Sequence, residues 1–213
     1  MIYNLKRRFV FVHIPRTSGT SMTKALCILF PDSFVGRYKL KHYRARGIKR
    51  ELLPQWQRYF RFSVIRSPWD IIESDWRHTH YNPLVGASDR PPNIAPWWFD
   101  HVHEVAAMTF DQFVQRKYLD PKGLVDQGGF WQTYCCAHNG KDLGVTPFLF
   151  TELNQAWYAI CHNLGVDDPP PYPHENADTG NPRGDWTPSL IDAVGEKCAG
   201  DIERFGFKPP VQQ

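Results

Sequence analysis

A short polar segment near the start of the chain, residues 15–21 (PRTSGTS), contains the residue types that bind an anion. Arg16 carries a permanent positive charge on a planar fork of N–H donors. Gly19 allows the main chain to approach a ligand closely. Four hydroxyl side chains in the segment can donate hydrogen bonds: Thr17, Ser18, Thr20 and Ser21. A phosphate or sulfate group is the ligand that this combination predicts.

A second cation lies at a similar place in the pattern, directly after residues 59–65 (YFRFSVI), which are predicted to form a strand. This cation is Arg66, and the residues after it are typical of a helix start. Ser67 is the predicted N-cap, Pro68 the first helical residue, and Asp70 the reciprocal acid of a capping box. Judged alone, an arginine at the position of Arg66 more often forms a salt bridge at the rim of the sheet than a ligand site.

The elements around the first polar segment explain how it could bind an anion. Residues 9–14 (FVFVHI) are β-branched and aromatic, which predicts a buried strand. An apolar helical face follows, formed by Met22, Ala25, Leu26 and Leu29. The first N–H groups of a helix lack intrahelical partners and lie at its positive end. A purely structural alternative is that the turn only caps its helix, with Thr20 or Ser21 as N-cap.

The rest of the chain continues the alternation of strands and helices. Short strands are predicted at 33–35 and 148–150, and helices at 44–53, 109–114, 130–138, 153–164 and 187–205. His101 and His103 have the spacing of a strand face. The segments 82–96 and 167–185 are rich in proline and predict long loops. This order of elements indicates an α/β fold with a mainly parallel sheet, whose ligands bind at the carboxyl ends of the strands.

Composition limits the possible functions. The chain has 213 residues, 42% hydrophobic content and a net charge of +3, which fits one sizeable domain and a small anionic ligand. Nucleic acid is not an expected partner, because that would require a concentrated basic surface. Neither a membrane span nor a signal peptide is evident. The five cysteines, an odd number with no CxxC pair, indicate reduced thiols in a cytoplasmic protein.

Two motifs in this order resemble those of the PAPS-dependent sulfotransferases, in particular the carbohydrate-type branch with soluble bacterial members. HIPRTSGTS at 13–21 is similar to the family's HIPKTGGTS turn, and RSPWDIIES at 66–74 is similar to its RNPxDxxxS motif. The GxxxxGK[ST] motif of nucleoside-triphosphate P-loops is absent. The tail is similar as well, with PHEN at 173–176 and DIERFGF at 201–207.

The resemblance implies a single P-loop-like domain over residues 1–213, with a mainly parallel central sheet flanked by helices. It also implies that the donor is 3′-phosphoadenosine-5′-phosphosulfate (PAPS) and the product 3′,5′-ADP. Arg16 and the turn residues Thr17, Ser18, Gly19, Thr20 and Ser21 would bind the 5′-phosphosulfate. Arg66 and Ser74 would bind the 3′-phosphate. No metal is expected, since the arginines and the helix terminus neutralise the charge.

Two positions relevant to catalysis follow from the same resemblance. His42, in the Lys41-His42 stretch before the second motif, is the predicted base that takes the acceptor's proton; an imidazole titrates near neutrality. The family's usual lysine is Arg16 here, and its usual first glycine is Ser18. Arg16 can neutralise charge on the leaving phosphate but cannot donate a proton near neutral pH. Arg16 and His42 are therefore the predicted catalytic residues.

Two other functional classes remain open from the sequence. One is an ATP-dependent P-loop-like kinase or nucleotide hydrolase, and the other is a non-catalytic module on the same fold that binds an anion or a glycan. The predicted acceptor is a carbohydrate or a small metabolite. Its site is expected to include the segments 82–99 and 167–185, which contain Trp, Tyr and Pro.

Overall fold

The structure is a computed structural model that describes residues 1–36, 44–52, 55–120, 132, 136–138, 141–173 and 180–210. The chain divides into two compact units. The first consists of Met1–Arg66 with Phe130–Ala177, and the second of Ser67–Gly129 with Asp178–Gln213. The polar turn at 15–21 and Arg66 both belong to the first unit. That the whole chain is a single domain stays a prediction.

The first unit is built on a five-stranded mixed sheet. Its strands are β1 (Ile2–Asn4), β2 (Phe9–Phe11), β3 (Phe34–Val35), β4 (Phe60–Ile65) and β7 (Thr146–Leu149), in the order β3-β1-β2-β4-β7. Strands β2, β4 and β7 are parallel, whereas β1 pairs antiparallel with both β2 and β3. The predicted α/β class is confirmed, and the sheet is parallel in its centre but mixed overall. A short antiparallel pair, β5 (Ala137–His138) and β6 (Lys141–Asp142), lies outside it.

Two helices cover one face of this sheet. Helix α1 (Gly19–Leu29) and helix α6 (Leu153–Asn163) contribute apolar faces to the same core, in which Trp157 is completely buried. Phe9 and Phe11 are two residues apart on β2, so their rings lie on the same face of the sheet. Both pack into this core together with Phe62 of β4. The predicted helical face at 153–164 is confirmed, and Gly165 follows it in the left-handed conformation. A further helix, α2 (Ala45–Leu52), precedes β4.

The described part of the second unit is helical. It comprises α3 (Pro68–His80), α4 (Pro96–Ala106), α5 (Phe110–Val114), a π-helical turn (Gln115–Leu119), α7 (Pro188–Lys197) and α8 (Ala199–Phe205). The Trp69 indole N–H donates to the carbonyl oxygen of Ile191, which joins α3 to α7. The predicted capping box at Thr109 and Gln112 is present. Helix α3 starts at Pro68 as predicted, but the side chain of Ser67 makes no capping hydrogen bond.

Three local predictions are wrong. The last helix is not continuous, because the chain bends at Cys198 between α7 and α8. His101 and His103 lie on helix α4 and not on a strand, although their i, i+2 spacing suggested one. Ala137–His138, placed at the end of a helix by the sequence pattern, forms strand β5. Within the ranges described, no helix is both long and apolar enough to span a membrane.

Candidate functional site

Strands β2 and β4 deliver the two cation-bearing turns to the same edge of the sheet. They are parallel neighbours, with Phe9 opposite Phe60 and Phe11 opposite Phe62. The pairing continues one residue beyond β2, because the N–H of Val12 donates to the carbonyl oxygen of Phe62. The hydroxyl of buried Ser63 then donates to the carbonyl oxygen of Val12 at 2.8 Å. The turn after β2 and Arg66 after β4 therefore begin at the carboxyl ends of adjacent strands.

The first turn has an unusual backbone. Arg16 and Ser18 adopt left-handed conformations, with φ of 64° and 63°. This region costs a residue other than glycine on the order of 1–3 kcal/mol, and such strain clusters at ligand sites. Helix α1 begins at Gly19 with Ser18 as its N-cap, and the Ser18 side chain makes no capping bond. The structural alternative in which Thr20 or Ser21 caps the helix is therefore wrong, since both lie in its first turn.

Gly19 is required by the packing at the helix start. A Cβ atom at this position would overlap the imidazole ring of His13. His13 is buried and stacks on Phe11, with 5.9 Å between ring centroids, so the imidazole has little room to move. The last residues of the strand segment thus pack directly against the first residue of the helix. This contact keeps the intervening turn tight.

Thr17 stabilises the turn from inside. Its side chain is completely buried, and its hydroxyl donates to the carbonyl oxygen of Ile14 at 2.9 Å. Because a hydroxyl has one proton, Thr17 has none left to donate to a ligand. Thr17 can therefore contribute to an anion site only through its backbone, whereas Thr20 is exposed at the helix start.

Replacing Thr17 by Val is expected to lower the free energy of unfolding by about 1–2 kcal/mol, because the buried Ile14 carbonyl loses its donor while the side-chain volume is kept. Urea denaturation measures this change. The matched control is Thr151→Val, at an exposed threonine of the same unit, which is expected to change stability by less than about 0.5 kcal/mol. Equal losses in the two variants would contradict the role of the Thr17 hydrogen bond.

The second cation reaches the first turn. A guanidinium nitrogen of Arg66, Nη1, donates to the carbonyl oxygen of Arg16 at 3.3 Å. The guanidinium carbon lies 4.1 Å from the ring centroid of Phe150, which follows strand β7. A cation over an aromatic face at this distance is attracted by the ring. Residues that follow three adjacent parallel strands therefore lie together: the backbone of Arg16, the guanidinium of Arg66 and the ring of Phe150.

Gln132 holds the backbone of Arg66 in place. Its side chain is completely buried and makes two hydrogen bonds to the same residue. The Arg66 N–H donates to Oε1 of Gln132 at 2.6 Å, and Nε2 of Gln132 donates to the Arg66 carbonyl oxygen at 2.7 Å. Nothing in the local sequence pattern distinguishes Gln132, so the sequence does not predict its role. Phe150 could have been found as the aromatic residue at the end of a predicted parallel strand.

Three predicted site residues remain to be placed: Ser21, Ser74 and His42. Ser21 is buried in the first turn of α1, and Ser74 is half-buried on α3 in the second unit. His42, the predicted base, lies outside the described residues. In the part of the chain that the structure describes, no group of three His, Cys, Asp or Glu side chains is arranged to hold a metal ion.

Comparisons with protein-family models, with curated proteins and with solved structures found no match. The chemistry and geometry of the two turns are therefore the basis for assigning a function.

Proposed function

We propose that this protein is a sulfotransferase that moves a sulfuryl group from PAPS to an acceptor hydroxyl or amine. The observation that supports this most is the hydrogen bond from the Arg66 guanidinium to the carbonyl oxygen of Arg16. It brings the Arg66 guanidinium to the backbone of the turn that carries Arg16, fifty residues earlier in the chain, so that two cation-bearing turns adjoin at the carboxyl ends of β2 and β4. A ligand with two separate anionic groups fits such a pair better than a ligand with one.

The proposal includes a P-loop-like character for the first unit. A parallel strand, a tight turn and a helix N-terminus follow one another at β2 and α1, and β4 lies beside them. Ligands of parallel sheets bind at the carboxyl ends of the strands, and helix N-termini favour phosphate and sulfate groups. The imidazole of His13 packs directly against Gly19, and this contact keeps the turn compact.

At the 5′ end of the donor, Arg16 and the N–H groups at the start of α1 would hold the phosphosulfate. Their charge and dipoles favour the negative charge that develops on the bridging oxygen. The left-handed conformations of Arg16 and Ser18 are strain of the type found at such sites. Thr20, exposed at the helix start, is the hydroxyl best able to donate to the ligand.

At the 3′ end of the donor, Arg66 would bind the phosphate that distinguishes PAPS from ATP. Its backbone is fixed by Gln132 and its guanidinium by Phe150, so little freedom is lost on binding. Fixed arginine groups suit bidentate recognition of phosphate. That Ser74 contributes to binding this phosphate stays a prediction from the sequence.

The proposed reaction is an in-line transfer. The acceptor oxygen or nitrogen forms a bond to sulfur, and the bond from sulfur to the bridging oxygen breaks. The electron pair leaves with the 5′-phosphate of 3′,5′-ADP, while a base accepts the acceptor's proton. As in phosphoryl transfer, positioning and charge neutralisation supply most of the catalysis. Arg16 stabilises the leaving phosphate without giving up a proton. His42 is the proposed base, because the family resemblance assigns that role to its position.

The two other classes make different predictions for ligand binding. A kinase or nucleotide hydrolase would prefer ATP with magnesium and ignore a 3′-phosphate. A non-catalytic module would bind an anion or a glycan with no preference among adenine nucleotides. No contact in the described structure favours either of them over the sulfotransferase.

Calorimetric titration with 3′,5′-ADP, 5′-AMP and magnesium ATP tests the proposal. The dissociation constant for 3′,5′-ADP is expected to be at least about tenfold lower than that for 5′-AMP, since a charge-assisted contact contributes about 1.5–3 kcal/mol. Magnesium ATP is expected to bind no better than 5′-AMP. Equal affinity for 3′,5′-ADP and 5′-AMP, or tighter binding of magnesium ATP, would contradict the sulfotransferase.

A further inference from the structure

Tyr172 contacts the anion-binding turn from a distant part of the chain. Its ring is buried, 5% exposed, and belongs to the core of the first unit. The ring centroid lies 5.7 Å from that of Trp157. The Trp157 indole N–H donates to the carbonyl oxygen of Pro170 at 2.8 Å, which fixes the segment before Tyr172 to helix α6. Tyr172 is therefore held rigidly on the side of the turn.

The hydroxyl of Tyr172 makes two hydrogen bonds to Ser18. It lies 2.9 Å from the Ser18 hydroxyl and 3.3 Å from the Ser18 carbonyl oxygen. A phenol has one proton, so both bonds form when Tyr172 donates to the carbonyl and accepts from the hydroxyl. Burial raises the pKa of Tyr172, and hydrogen bonds with the side chains of Ser18 and Ser21 oppose that rise. The hydroxyls of Tyr172, Ser18 and Ser21 therefore lie together at the start of α1.

Ser18 is the residue of the turn that most needs such support. It is the N-cap of α1, with φ of 63° and ψ of 19°, and its own side chain makes no capping bond to the helix. A residue with a Cβ atom resists this left-handed conformation, and only an external constraint maintains it. If Ser18 relaxed, the peptide N–H groups on either side of it would rotate away from the ligand.

We infer that Tyr172 is a positioning residue, which holds Ser18 in its left-handed conformation through hydrogen bonds to the side chain and the backbone. The inference rests on the proposed function for the identity of the bound anion. In the free protein, Tyr172 keeps the turn in the geometry that binds the anion. Removing its hydroxyl therefore weakens anion binding without touching the anion.

A double-mutant cycle with Tyr172→Phe and Ser18→Gly tests this role. Tyr172→Phe keeps the buried ring and removes its hydrogen bonds to Ser18 and Ser21, and it is expected to raise the dissociation constant for 3′,5′-ADP about tenfold. Glycine adopts the left-handed conformation readily. In the Ser18→Gly background, Tyr172→Phe is therefore expected to raise the dissociation constant about threefold or less. Ser18→Ala keeps the strain and the bond from Tyr172 to the backbone carbonyl but loses the bond to the hydroxyl, so it is expected to weaken binding by less than Tyr172→Phe does.

Controls separate positioning from loss of folding. Tyr158→Phe, at an exposed tyrosine of α6, is expected to leave the dissociation constant within about twofold of wild type. Circular dichroism establishes that each variant is folded at the temperature of the titration. Rescue by Ser18→Gly is the decisive observation, because a general loss of core packing at Tyr172 would not depend on the residue at position 18.

The possible outcomes distinguish this inference from the proposed function. Each titration is repeated with inorganic pyrophosphate, which lacks the nucleoside and the 3′-phosphate. Additive effects of the two substitutions would overturn the role of Tyr172 and leave the sulfotransferase intact. Coupled effects with pyrophosphate, together with no preference for 3′,5′-ADP over 5′-AMP, would support Tyr172 and overturn the sulfotransferase. If wild type bound neither ligand, both would be overturned.

Discussion

Replacing Arg66 by Gln is expected to raise the dissociation constant for 3′,5′-ADP about 100-fold and to change that for 5′-AMP by less than about threefold. Loss of a charged contact to phosphate costs about 1.5–3 kcal/mol, and every 1.4 kcal/mol is tenfold in affinity. The 5′-phosphate is assigned to the other turn, so 5′-AMP is little affected. Calorimetric titration of wild type and variant with both nucleotides measures the change in preference.

The structure suggests how to control this experiment. Arg66 also stacks on Phe150 and donates to Arg16, so its loss could disturb the first turn. Arg66→Lys keeps the charge but loses the planar fork, and it is expected to retain part of the preference for 3′,5′-ADP. Arg58→Gln removes an exposed cation just before β4 and is expected to have no effect. Equal weakening of both nucleotides by Arg66→Gln would contradict the assignment.

Replacing Gly19 by Ala is expected to lower the free energy of unfolding by about 2–3 kcal/mol and to abolish detectable binding of 3′,5′-ADP. The added Cβ overlaps the buried imidazole of His13, and overpacking of this kind costs about 1–3 kcal/mol. Either the ring or the start of α1 must shift, which moves the N–H groups of the turn. Urea denaturation measures the stability, and calorimetry measures the binding.

Two further variants isolate this contact. In a His13→Ala background the obstructing ring is absent, so Gly19→Ala is expected to cost less than about 1 kcal/mol. Gly200→Ala, on α8, places a Cβ atom in open space and is expected to be neutral or slightly stabilising, because alanine favours helices. If Gly19→Ala cost the same with and without His13, the glycine would be required for another reason.

Local patterns in the sequence were sufficient to predict the elements that carry the turns. The aromatic and β-branched runs at 9–14 and 59–65 became β2 and β4, although β2 ends at Phe11. Pro68 marked the first residue of α3, because its fixed φ suits the first helical position. The bond from the Arg66 guanidinium to the Arg16 carbonyl oxygen shows that the turns after β2 and β4 adjoin, as is expected at the carboxyl ends of neighbouring parallel strands.

Features that depend on distant residues left no signal in the sequence. Tyr172 lies 154 residues from Ser18, and Gln132 lies 66 residues from Arg66. The left-handed conformation of Ser18 was also unpredictable, since a serine is uncommon there and its support comes from Tyr172. Strand β1 was missed because three residues are too few to show alternation, and with it the antiparallel side of the sheet.

The central claim is that the turns carrying Arg16 and Arg66 bind opposite ends of one nucleotide with two phosphates. Phosphorus NMR of 3′,5′-ADP tests it directly, because the 5′- and 3′-phosphates give separate resonances. Both resonances are expected to shift when wild-type protein is added. With Arg66→Gln at saturating nucleotide, the 3′ resonance is expected to return towards its free position while the 5′ resonance stays shifted. A wild-type titration that moved only one of the two resonances would contradict the claim.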